Sequence, residues 1–406
     1  MEHHKLAKTK ALDFHMKNLT RFTLAVLLVP TLAFAIYAPI PEQEQGKALT
    51  YRLGTSAYYD SNIFGAAYNP IDSMVWNLNG KISFNGSIDD QTFTSASYFI
   101  TNDYVEDRPG DQNLTSQSFA ARLAHSFSPQ TNVDLSAAYD ILKNPESLQA
   151  GFPLNTDQSY NRGEFNGRFT TGLGQKTGLV GKYRFIDYAY DQQSLATQLD
   201  RAENLLGLEL TFAYLPETKL VGEYRYQTID YDTNGAFKDK VSNFLIAGFE
   251  YNPSKQLAVS ARGGVENRER DSQPDITAPY VELTSRYTYA EDSYVSAGYS
   301  YGLEEPSDIV RYNDSEVSKF FANLQHRING PFTFSGSLAY EPAQLQGRSP
   351  FQDIDESTFR LGMALSWQPT KNWTVSGTYD WDEIQSDDPN REQSRDRLGV
   401  GASFTF

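Results

Sequence analysis

No cysteine occurs anywhere in the chain, so a disulfide framework, a thiolate nucleophile and a cysteine-held metal are all excluded. Histidine is scarce as well: of five in total, only His125 and His326 lie beyond residue 35. Long apolar runs are missing. After residue 35 no stretch approaches the ~20 apolar residues that a membrane helix needs, and mean hydropathy is −0.53, which excludes helical insertion. Positive charge is in the minority, with 35 Lys or Arg against 51 Asp or Glu and a net charge of −16. No basic stripe of the nucleic-acid-binding kind is present, and no glycine-rich phosphate loop.

What is present begins at the amino end. From Met16 the chain reads Lys17, Arg21, an apolar run over 22–35 and the small-x-small triplet Ala33-Phe34-Ala35. A basic start, an apolar stretch too short to span a bilayer and a cleavage-type end predict a signal peptide over 1–35, with Met16 as an alternative translation start. Residues 36–48 are then a short periplasmic segment, and 49–406 the folded part. The leader holds five Lys or Arg against two acids, so the net charge of −16 becomes −19 for the remainder.

Aromatics are abundant at 14%, with 26 Tyr and 25 Phe, more than a soluble core of this hydropathy uses. They sit in segments that alternate with period 2, such as Met74, Trp76, Leu78, Ile82, Phe84; Leu206, Leu208, Leu210, Phe212, Tyr214; and Leu398, Val400, Ala402, Phe404, Phe406. Alternation over a strand, continued to an aromatic last residue, suits a surface that faces lipid. Only a closed barrel lets such strands span a membrane with every backbone group paired. The expected fold is an all-β transmembrane antiparallel barrel of about 18 strands, with 16 as the alternative.

The connections support this. Eight short turns, at 89–90, 128–130, 174–175, 215–217, 252–254, 291–292, 329–331 and 368–370, alternate strictly with nine long polar ones. The long ones fall near 60–73, 103–115, 142–159, 187–203, 229–240, 266–278, 302–316, 341–355 and 381–395. Short periplasmic turns and long outer loops make this pattern in the bacterial outer membrane, and an even strand count leaves both termini periplasmic. Phe127, Tyr214, Tyr251, Tyr289, Trp367, Trp373 and Phe406 then form an inner aromatic girdle, and Tyr59, Tyr139, Tyr226, Tyr301, Tyr340 and Trp381 an outer one. With too few residues ahead of Leu49 for a folded plug, occlusion has to come from an infolded loop such as 142–159 or 187–203.

The parity opposite the apolar one faces the lumen. It carries Arg52, Arg122, Arg168, Lys182, Arg184, Arg225, Arg262, Arg286, Lys319, Arg327, Arg360 and Arg397, with fewer acids, among them Asp134, Glu223, Glu250 and Glu282. Acids concentrate in the loops. A basic-leaning lumen under acidic loops predicts a polar diffusion channel with mild anion preference, since charged rings set pore selectivity. The same residues also suit a cross-strand ion-pair lattice.

Enzymatic chemistry finds no foothold. His125 and His326 both fall on the lipid-facing parity near short turns, and a general base must reach its nucleophile, so no catalytic residue is assigned. Asp230, Asp232, Asn234 and Gly235 match half of a calcium loop, but Val241 stands where the bidentate Glu belongs. No metal site and no cofactor are expected, and expected partners are lipid and lipopolysaccharide, the barrel-assembly machinery and small polar solutes or a polysaccharide.

At the first strand the chain reads Ala57-Tyr58-Tyr59-Asp60-Ser61-Asn62-Ile63-Phe64. This resembles the opening of the β-barrel porin 2 family of bacterial outer-membrane proteins, where a strand ending in Y-D-x-N-[IV] leads into the first outer loop. The resemblance marks Tyr59, Asp60 and Asn62 and implies an outer-membrane barrel, in a family thought of alongside exopolysaccharide export. Resemblance to outer-membrane proteins generally implies that the strand ending at Phe406 is the assembly signal. Two other readings stay open: an exopolysaccharide-export component, and a closed structural or adhesive barrel acting through its loops.

Overall fold

A computed structural model describes residues 48–143, 158–270, 273–306 and 308–406. The expected leader, the start at Met16 and nearly all of the 36–48 segment lie outside these residues, as does most of the 142–159 connection.

Eighteen strands follow one another around a single sheet. They are β1 (Leu49–Asp60), β2 (Ser73–Ser87), β3 (Thr92–Val105), β4 (Asn113–Ser128), β5 (Thr131–Leu142) and β6 (Tyr160–Gly172). Next come β7 (Thr177–Tyr190), β8 (Arg201–Leu215), β9 (Thr218–Tyr231), β10 (Lys240–Tyr251), β11 (Leu257–Arg270) and β12 (Ile276–Ala290). The last are β13 (Ser293–Glu304), β14 (Tyr312–Asn329), β15 (Phe332–Gly347), β16 (Ile354–Trp367), β17 (Trp373–Ser386) and β18 (Gln393–Thr405). Two short helices, α1 (Gln193–Leu199) and α2 (Gly235–Lys238), lie in long connections.

Each strand pairs antiparallel with its neighbours in sequence, and β1 pairs with β18 from Arg52↔Thr405 to Asp60↔Arg397. The sheet therefore closes into a barrel without an edge, which removes the unpaired backbone groups that an open sheet would expose.

Parity divides the side chains between two surfaces. On β9, Leu220, Tyr224 and Tyr226 are 43%, 48% and 40% exposed, while Val221, Glu223 and Arg225 between them are 5%, 2% and 0%. Among the described residues nothing covers the single-layer sheet from outside, so the buried parity is the inner one. The outer surface is thus an apolar band, including Leu78, Leu206, Leu245, Leu365, Leu398 and Val400. At its short-turn margin stand Phe127, Tyr214, Tyr251, Tyr289, Trp367, Trp373 and Phe406, all exposed. Tyr59, Tyr139, Tyr226 and Tyr340 are exposed on the long-loop side.

Strands run further than the sequence pattern suggests, from 12 to 18 residues, and the long connections shrink accordingly. The connection read as 266–278 begins only after Arg270, and that read as 381–395 begins after Ser386. Beyond the apolar band the inner face is filled largely by paired charges such as Glu266, Arg268 and Asp314, so no hydrophobic alternation survives there to mark these segments as strands.

Close backbone approach shapes one wall. A Cβ on Gly248 would lie 2.2 Å from the Ala261 carbonyl oxygen, and one on Gly264 would lie 2.1 Å from that of Leu245. Both positions face inward on β10 and β11, where only glycine lets the sheet bend this sharply.

Candidate lumen and mouth

The inner surface is not uniform around the ring. Along β7 to β12 much of it is filled: Val180, Lys182, Arg184, Ile186, Leu205, Glu209, Glu223, Arg225, Phe244, Ile246 and Tyr280 are all buried. Along β1 to β5 and β15 to β18 inward positions are mostly half-exposed, so water reaches them. Those positions are rich in small polar residues, for instance Ser95 and Ser97, Ser116 and Ser118, Ser335 and Ser337, and Thr374, Ser376 and Thr378. A hydroxyl-lined passage beside a charged, filled lobe is the main asymmetry of the lumen.

In the filled lobe charges are matched. Lys182 Nζ donates to Glu209 at 2.7 Å and to Glu223 at 2.9 Å. Arg225 Nη2 donates to Glu223 at 3.0 Å, and its Nη1 donates to the Tyr280 hydroxyl at 3.0 Å, three strands away. Arg262 lies 3.2 Å from Glu209 and 3.1 Å from Glu250, which also accepts from Lys219 at 3.0 Å. Glu282 completes the group 3.9 Å from Arg225. Four bases thus meet four acids, and no buried charge in the group is left alone, the condition under which such burial is tolerated.

A second cluster fills the mouth above it. Asp314, whose side chain is fully buried, accepts from Lys240 at 3.2 Å, Arg268 at 2.7 Å and Arg270 at 2.6 Å. Glu305 accepts from Lys240 at 2.9 Å, Arg268 at 3.1 Å and the Tyr231 hydroxyl at 2.7 Å. Glu266 takes Arg268 Nε at 2.8 Å. Ile309 packs against Ile229 and Tyr231 on the inner face of β9. The connection from β13 to β14 therefore folds inward, anchored by Glu305 and Ile309. In the connection read as 187–203, α1 buries Leu195 and Leu199, while the turn after β13 places Glu305 and Ile309 in the mouth.

Around the rest of the mouth the pairing continues. Arg397 meets Asp382 at 2.6 Å, Arg360 meets Glu341 at 3.2 Å, and Arg391 meets Glu356 at 2.7 Å. Arg311 Nη1 donates to Asp388 at 3.1 Å. Partial burial works against the Asp388 charge, but the Asn390 N–H at 3.1 Å and Arg311 outweigh it and hold the carboxyl below its ordinary range. Lys319 pairs with Glu304 at 2.7 Å, and at the opposite, short-turn end Arg327 pairs with Asp292 at 2.6 Å.

At the seam, Asp60 is buried and accepts from its own turn, the Asn62 N–H, at 3.0 Å. It also accepts from Arg395 Nε on the last strand at 2.9 Å. Asn62 donates to Ala66 O at 2.9 Å and to Ser394 O at 3.4 Å, and Tyr59 donates to Asp72 at 3.0 Å. The motif thus shapes the first loop, and it also fastens that loop to β18.

Towards the short turns the pattern changes. Arg122 Nε is held by Asp134 at 2.9 Å, but Arg168 stands opposite Asp134 and Lys182 with no carboxylate in ion-pair range among the described residues. Arg286 lies over the Tyr294 ring at 4.0 Å and lines a recess of ≈ 380 Å³ with Glu250, Ser260, Thr284, Ser296 and Phe321. Arg52 faces Lys81 in register.

His125 and His326 point outward, bonded to Thr92 at 2.8 Å and to Tyr289 at 2.9 Å. In the half calcium loop Asn234 takes a left-handed turn at φ 57° into α2, and Asp239 accepts from the Tyr231 N–H at 2.8 Å.

Sequence reading placed all twelve of its candidate lining residues on the inner parity. It missed Lys81, Lys240, Glu266, Arg268, Arg270, Glu305, Asp314 and Arg395. Continued alternation of charged and small residues through 240–242 and 266–270 is the signal that could have found most of them.

Comparison with known proteins adds solved barrels. Acinetobacter baumannii OccAB3 shares 12% identity, covering 88% of this chain and 99% of its own, with a TM-score of 0.46. Pseudomonas aeruginosa outer membrane protein opdK shares 11%, covering 88% and 99%, at 0.49. The ferric enterobactin receptor PfeA of the same organism shares 7%, covering 89% and 81%, at 0.46. At these identities and TM-scores the likeness assigns no solute and no role to the chain. No family model matches it, and no curated protein sequence does.

Proposed function

We propose that this chain is an outer-membrane barrel forming a polar, porin-like diffusion channel. The observation that carries the reading is the pairing of an apolar, aromatic-edged exterior with a water-reached strip of Ser and Thr along β1 to β5 and β15 to β18. A soluble barrel has no use for the first, and a closed structural barrel has no use for the second. In this orientation the short turns and both termini are periplasmic and the charged mouth is outside. The filled lobe narrows the lumen and the hydroxyl-lined wall carries the solute. Residues Tyr59, Asp60 and Asn62 are consistent with membership of the β-barrel porin 2 family. Lumen selectivity leans to anions through Arg52, Arg168 and Arg286, which lack a carboxylate partner among the described residues, while the remaining bases act as wall. Small polar solutes, lipopolysaccharide around the outer belt and the assembly machinery are the proposed partners. Liposome swelling tests the reading: vesicles holding the purified, folded chain should swell in small neutral sugars at rates that fall with solute size, and swelling no faster than empty vesicles would refute it.

A further inference from the structure

One pair of lumen cations stands apart from the matched clusters. Arg52 on β1 and Lys81 on β2 are directly opposite each other in register, both on the inner face. Like charges so placed repel. Among the described residues neither has a carboxylate within ion-pair distance, and Arg52 Nε is buried without an acceptor. A buried donor left in this state is costly; Nε of Arg162 and Arg262 shares it, but those guanidiniums meet carboxylates through their other nitrogens, whereas Arg52 meets none among the described residues.

The neighbours do not relieve the charge. In register, Thr50 and Ser83 flank the pair on the short-turn side, and Gly54 and Asn79 on the other. On the long-loop side of the pair Asp103 accepts from Asn77 Nδ2 at 2.7 Å, and Asn79 Nδ2 donates in turn to Asn77 Oδ1 at 2.7 Å. The amide ladder thus ties up the acid above the pair and leaves the two cations facing the passage. Arg168 and Arg286 differ: one has Asp134 directly opposite, and the other is spread over the Tyr294 ring.

We infer that Arg52 and Lys81 form an oxyanion-binding site in the short-turn half of the lumen, taking the phosphate, sulfate or carboxylate group of a solute. The planar guanidinium offers two parallel N–H donors to one oxyanion edge and the ammonium supplies a point charge opposite. The Thr50 and Ser83 hydroxyls stand beside them to take remaining oxygens. The ligand fills the missing acceptor of Arg52 and cancels the repulsion between the two cations. This inference rests on the channel reading for how the solute arrives, but not for binding itself.

Equilibrium dialysis of radiolabelled inorganic phosphate against the folded, detergent-solubilised chain tests it, with sulfate and acetate as competitors. A saturable site is expected, with affinity at least ~10-fold lower in the Arg52→Gln, Lys81→Gln double variant and retained in Lys81→Arg. Competition by sulfate alone assigns a tetrahedral oxyanion; competition by acetate extends the site to carboxylates. Heat-modifiable gel migration confirms that each variant is folded, and the two single variants replace the double one should it not fold. Absence of phosphate binding by the native chain, or equal binding by the folded variants, would overturn the inference. In planar bilayers phosphate should lower the chloride current of the native chain and leave that of the variant unchanged. Conductance insensitive to phosphate sinks the site and leaves the channel standing, whereas binding without conductance sinks only the channel.

Discussion

The Asp60 carboxylate accepts from Arg395 Nε at 2.9 Å, joining the first strand to the last across 335 positions of sequence. This contact lies where the barrel closes, beside the Asp60↔Arg397 register pair. Removing one partner of a buried ion pair leaves the other uncompensated, at a cost of about 3 kcal/mol or more. Asp60→Asn should therefore lower the urea midpoint of the folded barrel, and Asp60→Asn with Arg395→Gln should recover part of the loss. Equal stability of the single and double variants would show that the seam pair is idle.

Asp314 predicts a larger effect. Its buried carboxylate faces Lys240, Arg268 and Arg270, so Asp314→Asn strands positive charge at the centre of the mouth. A loss of about 3–5 kcal/mol is expected, together with faster hydrogen exchange near Ile309. Unchanged thermal stability in lipid would contradict the cluster as drawn.

Phe406 closes the last strand. Its N–H donates to Tyr51 O at 2.9 Å, and its ring packs edge-on to Phe404 at 4.7 Å. Deleting it removes one backbone bond and one girdle ring, a small change to a finished barrel. Its larger effect is expected during insertion: less protein in the outer membrane, with normal conductance for each barrel that does insert. Normal outer-membrane levels would contradict this.

Acid should loosen the outer rim selectively. Asp388 titrates below its ordinary range when folded, so its pairing with Arg311 stabilises above the ordinary carboxyl pKa and is lost as pH falls through the depressed one. Exchange of the amides at 388–391 should quicken below about pH 4, while the strands keep their protection. Rates independent of pH after correction for intrinsic exchange would count against the staple.

Most of the barrel was legible because lipid-facing strands must alternate. Leu398, Val400 and Phe404 declare their parity, and that parity fixes the inner positions of Arg52 and Arg225 with no further information. Partners were not legible. Arg225 bonding Tyr280 and Arg262 reaching Glu209 depend on the tight curve at Gly248 and Gly264, and sheet curvature leaves no period in a sequence. The mouth escaped for another reason. Lys240, Arg268 and Asp314 lie on strand ends that stand clear of the apolar band, where polar residues occupy both faces and strand looks like loop. Lys81 was overlooked although its parity was readable, because its meaning comes only from Arg52 across the pair.

Conductance of the purified, folded chain in planar bilayers tests the channel reading most directly. Stable unitary currents with a modest anion preference, shifted towards cations by the Arg52→Gln, Lys81→Gln double variant, are the expected result. A correctly folded barrel that inserts and carries no ion current would contradict it.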